Sequence, residues 1–106
     1  MSDYLPDVYK RFSSDYPAVM QAYTDLAEAL QTAGRLDERE RRLVKLGIAI
    51  GAEAEGAVRS HARRALAGGI DPGAIRHAAV LAISTAGFPT AMAAFGWVNE
   101  VLDESD

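Results

Sequence analysis

Apolar residues in this sequence recur at steps of three and four, and no segment of useful length alternates with period two. Such spacing places apolar side chains on stripes of helices and leaves no case for a half-buried strand. The β-branched residues also lie inside helical patterns, so the fold class expected is all-α, a compact bundle of about six helices. The clearest stretch runs from Tyr16 to Thr32, where Val19, Met20, Tyr23, Leu26, Ala27 and Leu30 share a stripe and Gly34 stands where a C-terminal cap is expected.

The other helices follow from their punctuation. Pro6 opens a short helix over Asp7 to Phe12, which Ser13, Ser14 and Asp15 interrupt with side chains that favour caps. Asp37 and Glu40 have the spacing of a capping box, and Leu43, Val44, Leu46, Gly47, Ile48 and Ile50 behind them predict a buried central helix. Glu53 to Ala67 reads as a fourth helix closed by Gly68-Gly69. Asp71-Pro72 opens a fifth that runs to about Thr85. After a break at Gly87-Phe88-Pro89, Met92, Phe95, Trp97, Val98, Val101 and Leu102 cover nearly every side of a last helix, and an acidic tail follows from Asp103 to Asp106. A helix apolar on so many sides points to cover from a second copy, so a homo-oligomer is expected.

At 106 residues the chain fits one domain, expected over 1–106, with a modest core. Hydrophobic residues reach 49%, yet no apolar run approaches the length a membrane helix needs, so no membrane is expected as a partner. The start Met1-Ser2-Asp3-Tyr4 has acid where a secretory signal has base, which places the chain in the cytoplasm. Its net charge of -4 has the wrong sign for a nucleic-acid partner. With no cysteine there is no disulfide, no thiolate zinc site and no thiol redox chemistry. His61 and His77 are far apart, and neither has a carboxylate or a second His one turn away, so no metal site is expected.

Helical spacing puts Ala54, Ala57, Val58, His61 and Ala65 on one face, so His61 projects among small side chains. A histidine so placed either hydrogen-bonds a backbone carbonyl or a Tyr as part of the core, or lines a small apolar pocket. Glu55, Arg59 and Arg63 stand four apart and read first as a ladder of surface ion pairs. Arg39, Arg41, Arg42 and Lys45 are interleaved with Glu38 and Glu40, which suits a solvated helix face, and His77 reads as a core or interface residue.

The run Glu53-Ala54-Glu55-Gly56-Ala57-Val58-Arg59-Ser60-His61, the turn Gly68-Gly69 and the stretch Gly87-Phe88-Pro89-Thr90-Ala91-Met92 together resemble the carboxymuconolactone decarboxylase family, which includes alkylhydroperoxidase D. The resemblance covers roughly Leu36 to Leu102 and implies the same helical fold, with assembly into a trimer or hexamer. The family's peroxidase branch uses a Cys-x-x-Cys pair, a His and a Glu relay. Its cysteines fall on Ala54 and Ala57, its His on His61 and its Glu on Arg42. A methyl group cannot replace the attacking thiolate, so no thiol peroxidase activity is expected. The decarboxylase branch lacks the cysteines and keeps an Arg and a His at Arg59 and His61. By that resemblance His61 is the candidate catalytic acid/base and Arg59, or a neighbouring Arg, the candidate anchor for a small carboxylic or lactone acid, with no cofactor required. The rival reading is a non-catalytic binding or scaffold protein that kept the bundle.

Overall fold

The computed structural model describes residues 7–104, and over these the chain forms six helices and no strand. The reading of Pro6 and of Met1 to Tyr4 lies outside the described residues. The chain divides into two compact units, Met1–Arg35 and Leu36–Asp106.

The first unit holds α1 (Asp7–Asp15) and α2 (Pro17–Gln31). The Ser13-Ser14-Asp15 run does not end α1 as expected. The helix continues through it, held in its last turn by an Arg11–Asp15 ion pair at 2.6 Å. It breaks instead at Tyr16, because the ring of Pro17 drives the residue before it out of helical backbone. Tyr16 is the N-cap of α2, and its ring lies 5.5 Å from that of Phe12. Thr32, not Gly34, is the C-cap of α2. Neither α1 nor α2 contains a buried residue.

The second unit holds α3 (Glu38–Gly51), α4 (Glu55–Ala67), α5 (Pro72–Thr85) and α6 (Phe88–Glu104). The predicted capping box is formed: the Asp37 carboxylate accepts from the Glu40 amide at 2.8 Å, and Glu40 accepts from the Asp37 amide at 2.9 Å. Leu46, Ile50, Val58, Ile75, Val98 and Val101 make the fully buried centre. Buried alanines at 62, 65, 79, 91 and 94 let the helix axes approach around them. Gly69 at φ 88° and Gly87 at φ 101° end α4 and precede α6 in the left-handed region that glycine enters without a Cβ clash.

Within the second unit, three boundaries differ from the sequence reading. The fourth helix begins at Glu55 rather than Glu53, since Glu53 itself takes left-handed backbone at φ 55°. Phe88 and Pro89 belong to the first turn of α6, where a proline's missing N–H costs nothing. Asp103 and Glu104 complete α6 rather than forming a tail, and Ser105 and Asp106 lie outside the described residues.

Burial differs too. Helix α3 is not enclosed as its composition suggests: Leu46, Ala49 and Ile50 are buried, but Val44 is 46% and Ile48 66% exposed. Its neighbours α4, α5 and α6 cover only one side of it. Helix α6, by contrast, packs against α3, α4 and α5 and buries Ala91, Ala94, Val98, Val101 and Leu102. Much of the cover expected from another copy is thus supplied by the unit itself. No described helix is long and apolar enough to cross a membrane.

Candidate functional site

Helices α3 and α4 are joined by the short turn at Ala52 to Ala54, so they lie against each other as a hairpin. Ala54 is the N-cap of α4, with its amide donating to the Ala49 carbonyl at 3.1 Å, and Ala57 sits in the first turn. These are the positions at which the resemblance places a cysteine pair, and here they present two half-buried methyl groups. Beside them, Glu53 is held by Thr90, whose hydroxyl donates to Oε1 at 3.1 Å across to α6.

His61 follows Ala57 by one turn and is half-buried. Among the described residues no hydrogen bond reaches its ring from a carbonyl or a Tyr. Its pKa is pushed below the ordinary value, first by burial and then by the positive charges of Arg64 and Lys45. Neither of those side chains makes an ion pair or hydrogen bond among the described residues. The imidazole thus feels two positive charges for which the described residues supply no paired carboxylate.

Arg59 stands differently. Its Nη2 donates to Glu100 at 2.7 Å and its Nε to Glu55 at 3.2 Å, and the hydrogen bond to Glu100 above all raises its pKa. The surface ladder read from the sequence thus extends to α6, and Arg63 reaches the same helix through Glu104 at 3.4 Å. The two residues the sequence singled out are separated in their chemistry: the arginine is paired on both sides, while the histidine has no carboxylate partner among the described residues.

Arg42, where the resemblance places the peroxidase branch's Glu, acts as a strut. Its Nη1 donates to the Arg64 carbonyl at 3.1 Å and its Nη2 to Glu38 at 2.8 Å. The stem lies so close to Gly68 that a Cβ there would sit 3.0 Å from Arg42 Nε, and the arginine would have to shift to admit it. The bond to Arg42 holds the Glu38 carboxyl below its usual range.

A separate open groove of about 730 Å³ runs between α3 and α5. Leu43, Gly47, Ile48 and Leu81 line it, with Arg39 and His77 as its charged or titratable members. His77 is exposed there rather than in the core. His61 does not line this groove. Among the described residues no group of three His, Asp or Glu side chains is placed to hold a metal ion.

Similarity to known proteins agrees with this arrangement. The helices superpose on a carboxymuconolactone decarboxylase family protein from Legionella pneumophila with a TM-score of 0.82, over 99% of this chain and 96% of that one, at 19% identity. That identity speaks for the fold alone. No curated protein sequence matches the chain. The sequence pattern of the carboxymuconolactone decarboxylase family matches residues 17–100, beginning before Leu36 and taking in α2. On a match of that extent, the chain belongs to the carboxymuconolactone decarboxylase family.

Proposed function

We propose that this protein binds a small carboxylic or lactone acid beside His61 and acts on it as a lyase or isomerase that needs no cofactor. The observation that carries this reading is the half-buried imidazole under the positive charges of Arg64 and Lys45, with no carboxylate among the described residues paired to any of the three. A substrate carboxylate supplies the missing negative charge. The anchoring role then falls to Lys45 and Arg64, because Arg59 is already paired with Glu55 and Glu100.

Bound acid also changes the histidine. A carboxylate close to the ring favours the imidazolium, so binding loads His61 with the proton it delivers. In a decarboxylation the carbon–carbon bond to the carboxylate breaks, carbon dioxide leaves, and the electron pair passes into the conjugated lactone system. The imidazolium then protonates carbon and returns neutral. Thiol peroxidase chemistry is excluded outright, since the chain has no cysteine.

A thermal-shift screen of small unsaturated and lactone acids tests the binding step, since a ligand that binds only the folded state raises the midpoint. The expected result is a rise with one or more such acids that is lost in Lys45→Met, together with turnover that is lost in His61→Gln. No shift across the acids favours the non-catalytic scaffold; full turnover in His61→Gln removes the histidine from the chemistry.

A further inference from the structure

We propose that Lys45 is a nucleophile that forms an imine with 3-oxo acids, which extends the chemistry beside His61 to the decarboxylation of open-chain keto acids. The proposal rests on the acid-binding reading above and begins with the register of the α3/α4 hairpin. At the turn the Ala54 amide donates to the Ala49 carbonyl at 3.1 Å, and at the far end Arg42 donates to the Arg64 carbonyl at 3.1 Å. Lys45 follows Arg42 by three residues and His61 precedes Arg64 by three, so one turn in from the strut the two stand across the seam from each other. The charge of Lys45 accordingly reaches the imidazole. One turn nearer the hairpin turn come Ala49 and Ala57, whose side chains are single methyl groups.

The residue type is the second observation. Lys10 and Lys45 are the lysines of this chain, and arginine supplies its other permanent cations. Arginine keeps its proton, whereas lysine sheds one and then attacks carbonyl carbon. Lys45 is half-buried, and no acid lies within one turn of it on α3 or of His61 on α4. His61, held below its ordinary pKa, is neutral near pH 7 and stands where it takes the ammonium proton. The freed amine adds to the keto carbon, and a carbon–nitrogen bond forms. The carbonyl oxygen takes one proton from the amine and one from the imidazolium and leaves as water. With Arg64 holding the carboxylate, the carbon–carbon bond to it breaks in the protonated imine, carbon dioxide leaves, and the electron pair passes toward nitrogen. The enamine carbon then takes a solvent proton through the imidazole. Water hydrolyses the imine, releasing the ketone and the ammonium.

Reductive trapping supplies the test, with acetoacetate as the probe and sodium borohydride as the reductant on the full chain. Borohydride reduces an imine to a stable amine, and peptide mass mapping should find the adduct on Lys45 with Lys10 unmodified. The second lysine is thus an internal control for unspecific reaction. Lys45→Arg keeps the positive charge and removes the nucleophile. At unchanged helix content it should retain the thermal shift caused by small acids, while losing the adduct and at least about tenfold in carbon dioxide release from acetoacetate. An unmodified Lys45, equal labelling of Lys10 and Lys45, or carbon dioxide release unchanged in Lys45→Arg overturns the proposal. An unmodified Lys45 in a chain whose midpoint still rises with acids strikes the imine alone. Absence of both the adduct and the rise strikes the acid-binding reading with it.

Discussion

Arg59 on α4 and Glu100 on α6 meet at 2.7 Å, and the same guanidinium also holds Glu55. A cation with two carboxylates already in place is a poor anchor for a third. Arg59→Met should therefore lower stability by roughly 0.5–1 kcal/mol, a figure kept small because both carboxylates face solvent. It should leave acid-induced thermal shifts in place, while Lys45→Met should do the opposite. Urea unfolding and thermal shift on both variants check this, and a ligand response lost in Arg59→Met alone would reverse the assignment.

Arg42 crosses from α3 to the Arg64 carbonyl at 3.1 Å. Arg42→Met keeps the stem and removes the donor, so unfolding free energy should fall by about 1–2 kcal/mol. Hydrogen exchange should be faster at the end of α4 than elsewhere in the unit, locating the loss.

Glu53 combines left-handed backbone with a bond from Thr90. Glu53→Ala loses the bond and keeps the strain, whereas Glu53→Gly loses the bond and relieves it. The glycine variant should be more stable than the alanine variant by about 1 kcal/mol. Equal stabilities in urea would show that the turn is not strained at that residue.

For His61 the folded pKa lies below the unfolded one, so the unfolded chain binds more protons in the window between them. The stability linked to this residue is complete above the unfolded value of about 6.5 and is lost as pH falls through that window. Acidification from pH 7 to pH 5 should destabilise the natural protein more than His61→Gln. A bound carboxylate should move the ring's proton-NMR midpoint upward, and an unmoved midpoint with a saturating acid would place the ligand elsewhere.

The parts of the fold legible in the sequence are those whose partners lie a few residues apart. Asp37 and Glu40 announce their reciprocal bonds by spacing, and Gly69 and Gly87 announce turns that only a residue without Cβ enters easily. Ser13 to Asp15 misled because a preference for caps is a weak force beside the hard clash imposed by Pro17. The exposure of Val44 and Ile48 was hidden because burial depends on what packs opposite, which composition does not record. At the site, the Arg59–Glu55 pair was legible at four residues' separation, while Glu100, forty-one residues away, was not. Lys45 read as one charge on a solvated face. Its significance comes from the hairpin that brings it toward His61.

Arg42 makes position 42 unable to serve two roles at once. Cysteines introduced at Ala54 and Ala57 would sit at the start of α4, where the helix dipole favours a thiolate. They would find no carboxylate at position 42, because the residue there ties α3 to the Arg64 carbonyl. A glutamate in its place would remove the strut and set a carboxylate against a carbonyl oxygen. The tie and an acid at this position exclude each other, so installing a thiol site with its acid in this chain calls for a new anchor between α3 and the end of α4.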